Sequence, residues 1–422
     1  MRKKRKNQEH KPKPPRILDG TQFRIDHIGR HGDGVAVSDA GPIYIPFALP
    51  GETITIQRSG NIVSNPSSDR IEAFCPHFAR CGGCMTQHIN LERYIAWKRG
   101  TVETALSNRG LNVPIADLID AHGLGRRRTT LHIKKSKDTT TVGFMRASSN
   151  ELIEIYSCPI LTPALKGAPE LARALGDAFP ASSSPLDVQI TATDSGLDCD
   201  VRGVKEISLD SRINLSEVAA EYDLARISVD RETVAERRPP ILKFGIANMV
   251  LPAGGFLQAT ATGEDVLSKL IMDRVGSAKH AADLFSGTGT FALRLAEKMS
   301  ITAVDGWRPA VEALTRAAHH TPGLKPVVVE QRDLSGHPLL TNELNRFEAV
   351  VFDPPRAGAK EQANELSTSN VQTIVAVSCN PATFSRDAEI LIKGGYELID
   401  VTPVDQFKWT AHIELVGHFK RN

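Results

Sequence analysis

Residues 281–297 read AADLFSGTGTFALRLAE: a short apolar run, a glycine-rich turn, then apolar residues at helical spacing. A strand that enters such a turn and leaves as a helix presents backbone N–H groups to a ligand, since Gly287 and Gly289 carry no side chain to block the approach. Four later runs share the strand character: ITAVD ending at Asp305, PVVVE, AVVFD ending at Asp353, and TIVAVS ending at Ser378. Continuously apolar strands alternating with helical segments predict a parallel sheet covered on both faces. Residues 251–422 are therefore expected to form a Rossmann-like α/β domain.

The strand ends carry the chemistry. Asp305 sits where an acidic side chain binds ribose hydroxyls, a feature shared with nicotinamide enzymes. FDPPRAG (352–358) follows two strands later and turns the reading toward S-adenosyl-L-methionine. VSCNPATFSRD (377–387) ends the next strand. Ligands of open α/β sheets bind beyond the carboxyl ends of strands, so Asp353, Arg356 and Cys379 should meet at one crevice. Enzymes that methylate exocyclic amines usually place an aromatic after the paired prolines; Arg356 there disfavours an amine acceptor. Cys379, at a strand tip before Asn380-Pro381, is poised as a nucleophile. Carbon 5 of uracil is itself a poor nucleophile, and thiolate addition at carbon 6 activates it. A base must afterwards remove the proton from carbon 5, and Glu414 in TAHIELV is the best candidate.

The chain has 422 residues, with 51 Lys plus Arg against 49 Asp plus Glu and a formal net charge of +2. Hydrophobic residues make up 41% and charged residues 24%, which excludes wholesale disorder, and no apolar run reaches the ~18 residues of a membrane span. The N-terminus lacks the apolar core of a secretory signal, and six Cys are too sparse for a disulfide scaffold, so the expected compartment is the cytoplasm. The small net charge hides segregation. Residues 1–16 hold eight Lys/Arg and one acid, and residues 124–146 hold seven and one, leaving 36 basic and 47 acidic residues elsewhere. Clustered positive charge on an acidic remainder is the footprint of a polyanion partner.

The organisation expected from this pattern is a disordered basic arm over 1–14, a small β-barrel over 15–70, a central region over 71–250 and the α/β domain over 251–422. Alternating runs broken by GRHGDG, SDAGP and PGE predict the barrel. LERYIAWKRGTVETALSN (91–108) reads as an amphipathic helix that could pack on the catalytic domain. Within the central region, Cys75, Cys81 and Cys84 stand in FCPHFARCGGCMTQ, with Cys158 in YSCPILTP. Four thiolates suit tetrahedral zinc or an iron–sulfur cluster, and their chemistry alone does not choose between them. Cys199 reads as structural.

GDGVAV with PIYIPFALPGETITI resembles a TRAM domain, a small RNA-binding barrel of OB-like topology. Together with FCPHFARCGGC, GRRRTTLHI, GGFLQAT, DLFSGTGTF, DPPRAG, SCNPATFSRD and HIE, the chain over residues 16–422 resembles the RNA uracil-5-methyltransferases that carry a TRAM domain, an iron–sulfur cluster and an S-adenosylmethionine domain. The resemblance implies a [4Fe-4S] cluster on Cys75, Cys81, Cys84 and Cys158, Cys379 as nucleophile and Glu414 as base. It places Gln258, Phe285, Gly287, Gly289, Thr290, Asp305, Asp333 and Asp353 about S-adenosylmethionine or the target base. Arg126, Arg127, Arg128 and Arg356 are expected on RNA. Thr290, Asp305, Asp333 and Thr260 depart from residues common in relatives. The GRRR, GFMR and SCPILTP segments favour 23S ribosomal RNA over transfer RNA as substrate, with no membrane and no obligate protein partner. The alternatives are the same chemistry on transfer RNA, or a non-catalytic RNA-binding or ribosome-assembly factor; a nicotinamide oxidoreductase would leave DPPR and SCNP unexplained.

Overall fold

The run AADL pairs in parallel with two neighbours at once, Ile301–Val304 on one side and Ala349–Phe352 on the other. This computed structural model describes residues 18–39, 41–58, 60–137, 139–181 and 184–421; the basic arm lies outside the described residues. The strands of the largest sheet are β1 (Ile119–Asp120), β2 (His280–Leu284), β3 (Ser300–Asp305), β4 (Val327–Gln331), β5 (Ala349–Phe352), β6 (Thr373–Ser378), β7 (Tyr396–Asp405) and β8 (Glu414–Arg421). Their order is β4-β3-β2-β5-β6-β8-β7-β1. Strands β4 to β6 are parallel, β8 runs antiparallel between β6 and β7, and β1 adds parallel to β7. The sheet is thus mixed, with its switch point between β2 and β5. The five runs that mark strands in the sequence are parallel as expected, and β7 and β8 add a long antiparallel hairpin beside β6.

The helix expected after the glycine-rich turn is a single turn, Ala292–Leu295. The chain returns to β3 at Ser300 and has no length for more. Residues 241–250 form a hairpin whose Leu242, Phe244 and Met249 lie in the core of the α/β sheet, although they precede residue 251.

Helix α1 (Leu91–Ser107) begins at Asn90, whose side chain accepts from the Arg93 N–H at 2.9 Å. Its Val102 and Leu106 enter the core of the large sheet, while Tyr94 and Trp97 cluster with Leu49, Ile89 and Ala411. α1 thus wedges the N-terminal part against the catalytic one. Residues 22–64 form two three-stranded antiparallel sheets over a shared core of Ile25, Ala36, Ile45, Ala48 and Ile54. Trp97 Nε1 donates to the Gly29 carbonyl at 3.0 Å and ties this part to α1.

Between them, seven strands from Arg128 to Glu236 form a second sheet, covered by helices Ala168–Asp177 and Leu209–Glu221. Cys199 is fully buried in that core. Among the described residues no helix is long and apolar enough to cross a membrane.

Candidate active site

Asp283 is the penultimate residue of β2, fully buried, and burial with Asp353 nearby pushes its carboxyl well above the usual range. The turn that follows holds Phe285 at φ +60°, a left-handed conformation costly for a side chain. The two glycines have different tasks. A Cβ on Gly287 (φ +54°) would meet nothing within 4 Å, so this backbone faces open space; a Cβ on Gly289 (φ +91°) would stand 2.3 Å from Leu314 Cδ1. Gly289 therefore lets the turn close on helix Arg308–His319. Asp305 accepts from the Gly287 N–H at 2.9 Å and the Trp307 N–H at 2.8 Å, holding the turn while each oxygen keeps a lone pair free. Ser286 Oγ and Thr288 Oγ1 are buried without hydrogen-bond partners. Unsatisfied hydroxyls beside an open glycine backbone fit a polar ligand such as S-adenosylmethionine. Thr290 is half-buried beyond them. Asp333 is exposed, accepts from the Ser335 N–H at 3.0 Å and packs against Gly306.

The second half of the site comes from β5, β6 and the β7–β8 connection. Because β8 opposes β6 with Ser378 across from Leu415, the first residue of β8, Glu414, comes to the carboxyl end of β6, where Cys379 begins the turn. Cys379 is half-buried. Asn380 caps α2 (Pro381–Lys393), accepting from the Ala382 N–H at 3.1 Å, and Pro381 fills the first helical position, which needs no donor. Its amide donates to the Arg356 carbonyl at 3.1 Å and its oxygen accepts from Arg30 at 2.9 Å.

A chain of side-chain amides links the carboxylates. Gln258 Nε2 donates to Asp353 Oδ2 at 3.0 Å; Gln406 Nε2 donates to Gln258 Oε1 at 2.7 Å and Glu414 Oε1 at 3.2 Å. Glu414 Oε2 is buried without a partner. Burial raises the proton affinity of both Asp353 and Glu414, and Asp353 raises that of Glu414 further, while Gln258 and Gln406 oppose the shift. Burial, then Glu414 and Asp353, push the Cys379 thiol up to about 11, with Arg356 pulling the other way. Arg356 is exposed and donates to His412 Nδ1 at 2.6 Å. Burial and the cations around it bring His412 down to about 4, so it accepts as a neutral ring. Gln406, His412 and Arg30 were not legible as site residues; only the β7–β8 hairpin and the N-terminal sheet bring them here.

Cys75, Cys81, Cys84 and Cys158 line one cavity of about 350 Å³ with Arg126 and Phe407. Burial pushes Cys84 up to about 11 and Cys158 up to about 12, and neighbouring thiols add to both shifts. Gly82 abuts the 145–147 backbone, where a Cβ would come within 2.7 Å of Met145 O and Ala147 N. The donor set suits a thiolate-bound centre, but among the described residues no group of three or more His, Cys, Asp or Glu is arranged to hold a metal ion.

The three arginines diverge. Arg126 turns toward the cysteine cavity, 6.0 Å from the Phe407 ring. Arg127 is buried, paired with Glu264 and donating to the Gln258 carbonyl at 3.1 Å. It supports the segment that carries Gln258. Arg128 lies half-buried over the exposed Phe256 ring at 5.1 Å. Lys135 donates to the Phe179 carbonyl at 2.6 Å and Arg146 to Glu151 at 2.6 Å, leaving Lys134 and Lys137 exposed.

A mixed sheet with a glycine-rich turn at its switch point and an antiparallel β8 defines an α/β methyltransferase fold. The family described as tRNA (Uracil-5-)-methyltransferase matches residues 329–421, which hold Asp333, Asp353, Arg356, Cys379 and Glu414. The chain is 44% identical over 405 residues to an RNA methyltransferase of Agrobacterium fabrum whose own activity is uncharacterised, covering 93% of this chain and 97% of that one. It is 31% identical to the 23S rRNA (uracil(1939)-C(5))-methyltransferase of Chromohalobacter salexigens, covering 92% and 87%. The tRNA (uracil-54, C5)-methyltransferase structure of Pyrococcus abyssi, determined with S-adenosyl-L-homocysteine, superposes with a TM-score of 0.74 at 22% identity, over 94% of this chain and 99% of that one, and shares the fold. The chain belongs to the RNA uracil-5-methyltransferase family.

Proposed function

We propose that this enzyme methylates carbon 5 of a uridine in 23S ribosomal RNA through a covalent adduct on Cys379. The observation that carries the reading is the meeting of Cys379 and Glu414 at one strand end, beside Asp353 and the open Gly287 turn. S-adenosylmethionine, when bound by Gln258, Phe285, Gly287, Gly289, Thr290, Asp305, Asp333 and Asp353, supplies an electrophilic methyl group. The Cys379 thiolate adds to carbon 6, and the electrons of the carbon 5–carbon 6 double bond move to the carbon 4 oxygen, making carbon 5 nucleophilic. After methylation, Glu414 Oε2 takes the carbon 5 proton. The C–H electrons restore the double bond, and sulfur leaves carbon 6 with its bonding pair. Arg356 suits a polar pyrimidine edge or its phosphate.

A uridine within folded RNA must leave its stack to reach Cys379. Arg128, Lys134 and Lys137 on the second sheet and Arg356 at the site are the cations expected to meet the RNA. We further infer that the cysteine cavity holds a [4Fe-4S] cluster of structural role, since methyl transfer needs no electron. Iron and acid-labile sulfide on the anaerobically purified chain test this; zinc alone would refute it. The 31% identity to the 23S enzyme supports the ribosomal substrate. Mass-spectrometric mapping of 5-methyluridine in RNA from a deletion strain tests it. Loss at a ribosomal uridine is expected, and loss confined to transfer RNA would overturn the substrate. Unchanged 5-methyluridine alongside an assembly defect would favour a non-catalytic role.

A further inference from the structure

Lys98 lies on the inner face of α1 beside Tyr94, Trp97 and Val102, and is 1% exposed. Its Nζ donates to Asp405 Oδ1 at 3.0 Å and to the His412 carbonyl. The other Asp405 oxygen accepts from Tyr94 Oη at 2.6 Å, and Tyr94 Oη accepts from the Trp409 N–H at 2.9 Å. Asp405 ends β7, and His412 stands two residues before Glu414. One ammonium thus ties together both ends of the connection that carries Gln406 and delivers Glu414. Stability alone does not account for a charge there, because an apolar pair of the same volume is often as stabilising as a buried ion pair.

We propose that Lys98 is a positioning residue for proton removal: it closes the 406–413 connection and keeps Glu414 able to ionise beside Asp353. This rests on Glu414 being the base. Glu414 is faced by Asp353 after β5, Cys379 after β6, Arg356 in the following loop and Lys98 from α1. Burial and then Asp353 raise its proton affinity, while Gln406, Arg356 and, to a smaller extent, Lys98 lower it. Lys98 in turn faces Asp405, Arg126 and Glu414. His412 faces Arg356, Lys98, Arg126 and His31.

The test follows breakdown of the methylated, denaturation-stable protein–RNA adduct against pH, using the full chain, S-adenosylmethionine and a uridine-containing ribosomal RNA fragment. Lys98→Met removes the charge. Lys98→Gln removes it while keeping a hydrogen-bonding group toward Asp405, which covers the case where Lys98→Met does not fold. In both, the acid-side limb should move up by about 1 pH unit, with breakdown about tenfold slower at neutral pH and adduct accumulating. Tyr94→Phe cuts the same network without changing charge, and Lys98→Arg keeps the charge; both should leave the limb in place. A limb unmoved by the charge-removing variants, or moved equally by Tyr94→Phe, overturns the proposal. If Glu414→Gln fails to hold the adduct, the base assignment falls and the proposal with it.

Discussion

Gln406 donates to Glu414 at 3.2 Å with the same amide nitrogen that reaches Gln258 at 2.7 Å. That bond favours the ionised form of Glu414, the form that can accept a proton. Gln406→Leu removes it and leaves two buried acceptors unpaired. We expect kcat to fall about 10- to 100-fold, with methylated adduct accumulating, as for loss of a charge-assisted hydrogen bond of about 1.5–3 kcal/mol. Rapid-quench kinetics on the variant check this; a lower rate without adduct would place Gln406 elsewhere in the cycle.

The Cys379 thiol gives a pH prediction. Burial, then Glu414 and Asp353, raise it and Arg356 lowers it. In the free enzyme, alkylation of Cys379 should therefore climb with pH toward a midpoint near the value of about 11. Removing a neighbouring negative charge lowers the thiol pKa, so Glu414→Gln should react about tenfold faster at mildly alkaline pH, and Arg356→Ala more slowly. Mass spectrometry of the Cys379 peptide separates it from the other thiols.

The two glycines of the turn should part company. Gly289→Ala drives a Cβ into Leu314 and should lower the Tm by several degrees as well as cofactor affinity. Gly287→Ala meets only open space and strain of about 1–2 kcal/mol, so affinity should fall far more than Tm. Calorimetric titration with S-adenosylmethionine and thermal melts on both proteins read the difference.

In the central sheet, Arg226 forms a bidentate pair with Asp198 at 2.8 and 3.0 Å and donates to the Leu251 carbonyl at 2.8 Å, all buried. Arg226→Met strands the Asp198 carboxylate and should cost about 3–5 kcal/mol in urea unfolding. A change below about 1 kcal/mol would show that the carboxyl readily takes up a proton there.

Legibility followed chemistry carried by single strands. Gly287, Asp305, Asp353 and Cys379 each sit at a strand end that apolar runs already mark. The mixed order of the sheet was not legible, because β7 and β8 differ from parallel strands only in what they pair with. The same gap hid Gln406, which ends no motif of its own. Lys98 was hidden for another reason: a lysine in an amphipathic helix ordinarily reads as solvent-facing, and only its position four residues after Tyr94 placed it inward. The ion pair of Arg127 was hidden as well, because its partner Glu264 lies far along the chain.

Incubation of the full chain with S-adenosylmethionine and RNA carrying 5-fluorouridine, whose fluorine cannot leave as a proton does, tests the central claim most directly. The account predicts a denaturation-stable one-to-one adduct whose digest maps to Cys379, absent from Cys379→Ala. A protein that methylates ordinary uridine RNA yet forms no adduct, or forms it through another residue, would contradict it.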